Sequence, residues 1–552
     1  MKIALAQLNY HIGNFEQNVS KIKATINKAK EARVDLVVFA ELAVCGYPPR
    51  DFLEFNDFIK LCSDAINSIA EECNGIAVIV GSPSINPKLE GKNLFNSAYF
   101  IADKKVQVIC NKSLLPNYDV FDEYRYFEPA TSFNTIDFKG YRIALTICED
   151  LWNVDDDPMY PVSPMNIIIK EQPELIINIA ASPFSYNHPE NRENVLCKNA
   201  IKYKIPVFYL NHVGAQTELL FDGGSMVINN RGGVVDELNY YEEDFRIYEA
   251  EDVLLNNTAP THGFSPIALS DNIKYPRIYQ ALVMGIRDYF HKLGFRKAII
   301  GSSGGIDSAV VLSLAVAALG RENVRAVLMP SIFSSDGSVD DALILGKNLG
   351  IACDFIPINS IYDALVTSLH PFFGDMKFDL TEENIQARTR GTILMALSNK
   401  FGFILLNTSN KSELAVGYGT LYGDMCGGLS VIGDVYKTEV IQLANYINRS
   451  EEIIPQNILT KPPSAELRHD QKDSDSLPDY EVLDRILFQY IEERKGPKEI
   501  IALGFEEELV LRILKMVNIN EYKRHQTPPI LRISSKAFGT GRRLPIVAKY
   551  LS

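Results

Sequence analysis

Three side chains in the first half of the chain stand where β-rich runs end, and their types suit acyl transfer. Glu41 follows VDLVVFA, Lys112 follows VQVICN and Cys148 follows YRIALTI. Taken singly, each has an ordinary reading: a buried strand thiol and two surface charges. Taken together they complete a reaction. An unperturbed thiol with a pKa near 8.5 is only about 3% thiolate at pH 7, roughly 2 kcal/mol from ionised. A carboxylate at Glu41 would accept its proton, and an ammonium at Lys112 would stabilise the oxyanion on the attacked carbonyl. Glu149 and Asp150 would raise the thiol pKa if they faced it, and strand alternation points Glu149 away.

The second half carries a different chemistry. Gly301-Ser302-Ser303-Gly304-Gly305-Ile306-Asp307-Ser308 lies between a short apolar run and a long apolar helix. Glycines let the backbone approach a phosphate, and a helix N-terminus aims free N–H groups at it. The helix dipole contributes about 0.3–1 kcal/mol. Hydrogen bonds to a charged group add roughly 1.5–3 kcal/mol each, so the N–H and hydroxyl cluster dominates. The plainer reading is a Gly/Ser-rich turn with Asp307 as a helix-start charge. The string lacks the Gly-Lys-Ser/Thr of an ordinary P-loop.

These residues need elements to hold them. Residues 3–8, 34–40, 76–81, 97–102, 106–111, 141–148, 175–180 and 207–211 read as strands, with helices over 14–32 and 58–72. Asn14 is the expected N-cap. Continuous apolar runs separated by helices indicate an α/β class with strands covered on both faces. Residues 256–276 are polar and rich in Pro, Thr and Ser, and read as a linker or strap. A second α/β pattern follows: strand 297–301, helix 306–319, strand 324–329, helix 340–349, strand 353–358. That order predicts a doubly wound sheet with its ligand crevice after the first strand. Residues 461–480 read as a mobile loop.

Composition narrows the partners. The chain has 552 residues, 46% of them hydrophobic and 22% charged, which allows two to four domains with real cores. Its 55 basic and 69 acidic residues leave a net charge of −14, which argues against nucleic acid as a partner. An anionic substrate would need local cations or a metal. The longest apolar run, 309–319, is far below the roughly 18 residues of a membrane span, so no membrane partner is expected. The eight cysteines form no C-x-x-C pair, and the start MKIALAQLNY is too short for a signal segment. A reducing cytoplasm fits this usage.

Longer strings extend both readings. Ser303-Gly304-Gly305-Ile306-Asp307-Ser308 resembles the pyrophosphate loop of the N-type ATP pyrophosphatases, which implies that ATP is split to AMP and pyrophosphate as a substrate is adenylated. Glu383-Asn384-Ile385-Gln386-Ala387-Arg388-Thr389-Arg390, Asn407-Thr408-Ser409-Asn410-Lys411-Ser412-Glu413, Gly423-Asp424, Asp434-Val435-Tyr436-Lys437-Thr438 and Asn520-Glu521-Tyr522-Lys523-Arg524 with Pro528-Pro529 resemble the NAD synthetase family. That resemblance implies that Gly301, Ser302, Ser303, Gly304, Gly305, Ile306, Asp307, Ser308 and Thr408 hold ATP. It assigns Asn384, Glu413 and Lys523 to deamido-NAD, and Asp307 and Glu413 to Mg2+, a hard cation suited to carboxylates. Arg388, Arg390, Lys523 and Arg524 read either as local cations for two polyphosphates or as a solvated basic face.

In the first half, Glu41-Leu42-Ala43-Val44-Cys45-Gly46-Tyr47-Pro48-Pro49, Lys112 with Leu115-Pro116-Asn117-Tyr118, and Ile147-Cys148-Glu149-Asp150-Leu151-Trp152 resemble the nitrilase superfamily. More narrowly, they resemble the glutaminase domain of the glutamine-dependent NAD synthetases. Carried over, Glu41 is the base, Lys112 the oxyanion partner and Cys148 the nucleophile, with Tyr118, Ser182 and His188 around glutamine. The chain departs from the pattern at His188, where the family often has Lys, and at His212, where Gln commonly follows Asn211. His212 is expected to pack or hydrogen-bond locally.

The implied architecture is a nitrilase-like α-β-β-α sandwich over 1–255, a linker over 256–275, and a doubly wound parallel sheet of the adenine nucleotide alpha hydrolase type over 276–552. The implied reaction hydrolyses glutamine, adenylates deamido-NAD with Mg-ATP and amidates it to NAD(+). The family also implies an ammonia tunnel and a homo-oligomer, often an octamer in bacteria. Two other readings stay open from the residues alone: an amidotransferase acting on another acceptor, and a nucleotide sensor with an inactive amidase domain.

Overall fold

Alternation along the first strand decides the architecture of the N-terminal half. Ile3 and Leu5 face one way and Ala4 and Ala6 the other, and both faces are buried. In the computed structural model, which describes residues 1–133, 135–155, 158–260, 269–469 and 471–551, the chain forms two units, Met1–Leu269 and Ser270–Ser552. The described residues of the first unit include two six-stranded sheets. One runs in the order Asp244–Glu249, Lys2–Gln7, Leu36–Val38, Ala77–Ile85, Leu94–Ala102, Lys105–Asn111. The other runs Val234–Glu237, Met226–Ile228, Val207–Leu210, Leu175–Ile179, Tyr141–Ile147, Thr135–Phe138.

Ile3, Leu5, Val38 and Ile79 of the first sheet share a core with Ile143, Leu145 and Ile177 of the second. On the outer face of the first sheet, Ala4, Ala6, Val37 and Val78 pack under Ile22 and Ile26 of the helix Phe15–Glu31 and Ile66 and Ile69 of the helix Asn56–Ala70. The helix His188–Tyr203 contributes Leu196, Cys197 and Ala200 to the core of the second sheet. The result is the expected α-β-β-α sandwich. Asn14 caps its helix, accepting from the Gln17 N–H at 3.1 Å.

The expected strand 34–40 shrinks to Leu36–Val38, because the Ala40 carbonyl accepts from Gly81 and Ala43 and turns the chain there. That turn presents Glu41. Six short strands among the described residues of this unit escape the apolar-run criterion. Asp244–Glu249, for instance, reads DFRIYE, yet it pairs antiparallel with Lys2–Gln7 over six residues at a sheet edge, where none of its residues is fully buried and Arg246 pairs with Asp236 and Asp244.

The described residues of the second unit include five parallel strands in the order Ala352–Phe355, Val324–Leu328, Ala298–Gly301, Ile404–Asn407, Leu429–Ser430. This is the doubly wound order, and the strands Ala298–Gly301 and Ile404–Asn407 diverge at its switch point. The expected helix 340–349 begins earlier, at Asp336, because Ser335 caps it by accepting from the Ser338 N–H. A further helix, Asp271–Leu293, starts within the stretch read as a strap and contains Pro276 near its N-terminus. Residues 261–268 of that stretch lie outside the described residues. Among the described residues no helix is long and apolar enough to cross a membrane.

Candidate active sites

Cys148 lies directly beyond the strand Tyr141–Ile147 and opens a short turn, Cys148–Leu151, with φ at 41°. A left-handed conformation costs a non-glycine residue about 1–2 kcal/mol, so the surroundings must hold it. Asp150 supplies much of that hold. Its Oδ1 accepts from the N–H groups of Ser113 (3.0 Å) and Leu114 (2.9 Å), and its Oδ2 from that of Ile147 (3.1 Å). One buried carboxylate thereby ties the thiol's turn to the residues that follow Lys112. Burial pushes its carboxyl up to about 6, against the three N–H donors.

Lys112 is fully buried. It donates to Glu41 Oε1 at 2.8 Å and to Glu123 Oε1 at 2.8 Å. Glu41 Oε1 also accepts from Asn96 Nδ2 (2.7 Å), and its Oε2 from the Ala181 N–H (2.8 Å). Three donors thereby converge on the Glu41 carboxylate and fix its orientation beside Lys112. The loop that carries it passes so close to Gly81 that a Cβ there would lie 2.3 Å from the Leu42 nitrogen.

Burial pulls the Lys112 ammonium down, but Glu123 and Glu41 outweigh it and hold the charge on. Burial also pushes Glu123 up to about 7, opposed by Lys112 and helped by Glu41. At Cys148, burial and then the Glu41 charge push the thiol well above its ordinary value, with Lys112 acting the other way. The resting sulfur therefore keeps its proton, and a base must take it as the bond to substrate forms.

Glu123 and Asn96 are missing from the sequence reading. Neither ends a β-rich run. Glu123 opens a four-residue helix, and Asn96 sits inside the strand Leu94–Ala102, where it donates to both carboxylates. A buried amide or carboxylate of this kind is found only by its partners.

The three residues expected around glutamine gather beside this cluster. Tyr118 donates its hydroxyl to Glu149 Oε1 at 3.0 Å, and Tyr160 to the same oxygen at 3.1 Å. Glu149 does not point away as strand alternation predicts. The strand ends at Ile147, so the period of two no longer applies, and Glu149 is close enough to raise the Cys148 thiol. Ser182 Oγ lies 2.8 Å from His188 Nε2, and the His188 ring stacks on Trp152 with centroids 5.1 Å apart and planes 9° apart. His212 makes the local bond expected of it, donating Nε2–H to the Glu41 carbonyl at 2.6 Å.

In the second unit a cavity of 310 Å³ opens at the switch point, lined by residues 301–308, Thr408, Glu413, Arg390 and Lys437. The loop is braced from within: Ser308 Oγ donates to the Gly305 carbonyl (3.0 Å), and the Gly305 N–H donates to Ser303 Oγ (3.2 Å). Asp307 Oδ1 accepts from Asn410 Nδ2 at 3.0 Å, and its Oδ2 accepts from Lys437 Nζ. Lys437 Nζ also lies 4.0 Å from Glu413 Oε1. Burial and then the Asp307 charge push Glu413 well above the usual carboxylate range.

Among the described residues no group of three or more His, Cys, Asp or Glu is arranged to hold a metal. Asp307 and Glu413 still fit Mg2+, which keeps several waters and is commonly bound by one or two carboxylates plus substrate phosphates. Their hard oxygens flank a position already shared with the Lys437 ammonium.

Asn384 and Lys523 do not line the cavity. Asn384 Oδ1 accepts from Thr420 Oγ1 at 2.7 Å, and Lys523 Nζ donates to the carbonyls of Gly417 and Gly419, each at 2.8 Å. Both therefore brace the turn whose Tyr418 faces the cavity. The candidate cations divide. Arg390 lines the cavity, with Nε on the Met329 carbonyl at 3.0 Å, and burial pulls its guanidinium down to about 10. Arg388 is exposed and Arg524 is structural, bonded to the carbonyls of Leu414 and Ala415 and paired with Glu521. Part of the stretch read as a mobile loop, Lys461 to Leu467, lines the cavity, where Glu466 accepts from Ser335, Ser338 and Lys461.

A sandwich with a buried thiol, ammonium and carboxylates, joined in one chain to a doubly wound sheet with a loop-lined cavity, defines a two-part α/β enzyme. The carbon–nitrogen hydrolase family matches residues 2–253, and the NAD synthase family matches residues 278–527. The chain is 44% identical to the glutamine-dependent NAD(+) synthetase of a Synechocystis strain, over 99% of both chains. It is 40% identical to that of Thermotoga maritima, over 100% of this chain and 99% of the relative. The solved structure of glutamine-dependent NAD(+) synthetase from Acinetobacter baumannii in complex with adenosine diphosphate superposes with a TM-score of 0.77 at 39% identity, covering 99% of this chain and 98% of that one. The enzyme from Cytophaga hutchinsonii shares the fold, with a TM-score of 0.84 at 20% identity over 99% of this chain and 98% of that one.

The chain belongs to the glutamine-dependent NAD(+) synthetase family of ATP-dependent ligases. Glutamine-dependent NAD(+) synthesis is accordingly its activity.

Proposed function

We propose that the first unit releases ammonia from glutamine at Glu41, Lys112 and Cys148, and that the second uses Mg-ATP to adenylate deamido-NAD and passes it to that ammonia. The observation that carries the reading is the buried Glu41–Lys112–Glu123 cluster close to the buried Cys148 thiol, which burial and the Glu41 charge push upward. Sulfur attacks the side-chain carboxamide carbon as Glu41 takes the thiol proton. Lys112 faces the oxyanion, and Glu41 returns the proton to the departing nitrogen. Water, deprotonated by Glu41, then cleaves the thioester to glutamate. Tyr118, Ser182 and His188 hold the amino-acid end of glutamine, and the Glu149 carboxylate is the counter-charge for its α-ammonium.

In the second unit, the loop 301–308 and Thr408 take the phosphates and Arg390 adds a buried positive charge. The nicotinate carboxylate of deamido-NAD attacks the α-phosphorus and pyrophosphate leaves. Ammonia then displaces AMP. A bare carboxylate is a poor acylating agent, so this activation is required. Asn384, Glu413 and Lys523 belong to the deamido-NAD side, two of them through the turn 417–420. Mg2+, held by Asp307 and Glu413, would neutralise phosphate charge when bound. The ADP in the Acinetobacter baumannii structure supports an adenine nucleotide as the ligand here.

The eight cysteines are all free, and a nucleophilic thiol needs a reducing setting, which supports the cytoplasm. The helix Asn359–Phe373 has no buried residue, and Phe372, Met376, Phe378 and Leu380 nearby are exposed, which supports a homo-oligomer; an octamer is the size the family resemblance implies.

The test is stoichiometry. With glutamine, Mg-ATP and deamido-NAD, one AMP, one pyrophosphate and one glutamate are expected per NAD(+). ADP and phosphate in their place, or turnover with nicotinate but not with deamido-NAD, would refute the second half of the reading. A finer expectation concerns His188, at the N-terminus of its helix and stacked on Trp152. His188→Ala should raise KM for glutamine about 10-fold to 100-fold, the cost of one hydrogen bond to a charged group, and leave ammonium-driven synthesis unaltered. An unchanged KM would remove His188 from the glutamine contacts.

A further inference from the structure

The stretch 481–516 offers helical periodicity and no chemical motif, yet one of its residues reaches the support of the nucleotide cavity. Asp484 lies on the helix Tyr480–Ile491 and is buried. Its Oδ1 accepts from Ser412 Oγ, and its Oδ2 accepts from the Thr438 N–H at 2.9 Å and the Thr438 hydroxyl at 2.8 Å. Ser412 Oγ in turn accepts from the Lys437 N–H at 2.9 Å. Asp484 therefore joins the first turns of two helices, Lys411–Val416 and Lys437–Ile447. Those turns carry Glu413 and Lys437 into the cavity, and Asp484 itself does not line it.

A buried carboxylate is costly unless its oxygens are hydrogen-bonded, and here both oxygens are. Five residues form one network: Asp484 to Thr438 and Ser412, Ser412 to the Lys437 backbone, and the Lys437 ammonium to Asp307. The spacing between the Lys437 ammonium and the carboxylates of Asp307 and Glu413 depends on how those two helix starts are set against each other. A shift of about 1 Å in a charged group at a reacting centre is enough to cost a large factor in rate.

We propose that Asp484 is a positioning residue for the nucleotide half-reaction: by pinning Ser412 and Thr438 it sets the Lys437 ammonium against Asp307 and Glu413. The inference rests on the reading of this cavity as the ATP site. An amide at 484 would keep the shape but exchange one acceptor for a donor: with its oxygen kept on the Thr438 pair, its nitrogen meets Ser412 Oγ, whose own proton loses the acceptor it has now.

The test is a double-mutant cycle on the full chain, read as the Kd for Mg-ATP by titration, so that loss of turnover does not hide the effect. Asp484→Asn is expected to weaken Mg-ATP binding at least tenfold when Lys437 is present and less than twofold in Lys437→Met. Thr438→Val, which removes one hydroxyl and keeps the carboxylate, should show the same dependence on Lys437 at smaller size, and serves if Asp484→Asn does not fold. An equal loss in both backgrounds would mean that Asp484 acts on overall stability and would overturn the proposal. Lys437→Met with an unchanged Kd would overturn it at an earlier step, by showing that bound Mg-ATP does not depend on the ammonium Asp484 positions. A wild-type chain that does not bind Mg-ATP would overturn the reading of the cavity itself.

Discussion

Cys148→Ala is expected to lose at least about 10⁴-fold of glutamine-driven NAD(+) formation while ammonium-driven formation stays within about twofold of wild type. The size follows from the step removed. Without sulfur there is no thioester, and Lys112 and Glu41 are left facing an amide that water must attack unaided. The ammonium arm is spared because the second unit supplies its own activation chemistry. Glu41→Gln should fall nearly as far, since the buried thiol keeps its proton and loses its acceptor. A Cys148→Ala protein that still used glutamine would end the assignment of the first unit. Loss of both donors together would mean that the thiol also supports the synthetase half.

How much of this could be read beforehand depended on whether a residue's role lay in its string or in its partners. Glu41, Lys112 and Cys148 end β-rich runs, and an element end is where a fold presents side chains, so position brought them forward as candidates and the surrounding strings, through their family resemblance, gave them roles. The phosphate loop likewise needed its full string, because a Gly/Ser-rich turn before an apolar helix is also an ordinary strand-to-helix connection. The parallel sheets followed from long apolar runs. The edge strands did not, since a strand such as Asp244–Glu249 is only partly covered, needs no apolar run and resembles a loop.

Glu123, Asn96 and Asp484 were hidden for another reason. Each is polar, buried and satisfied by residues distant in the chain: Glu123 by Lys112 and Tyr47, Asp484 by Ser412 and Thr438. No local pattern encodes such a pairing. Glu149 was misdirected by applying strand alternation one turn too far, across the point where Cys148 leaves the strand with positive φ.

The loop glycines separate by the same local geometry, and this gives the second large effect. Gly304 has φ at +75°, and a Cβ on it would stand 2.1 Å from the Ser338 carbonyl oxygen. Gly305 needs no positive φ, and its Cβ would meet only the Ser303 hydroxyl, at 3.2 Å. An L-residue at 304 pays roughly 1–2 kcal/mol for the left-handed conformation before the clash is counted. The clash is with backbone, so the loop or the start of the helix Asp336–Leu349 must move. Gly304→Ala should therefore cut kcat/KM for ATP at least about 100-fold with either nitrogen donor, since a loop displaced by a fraction of an ångström no longer presents its N–H groups together. Gly305→Ala should cost about an order of magnitude less, because a serine rotamer can yield. If the two substitutions are equally damaging, backbone strain is not what limits the loop. Close approach of phosphate to both glycines would then be the reason they are there.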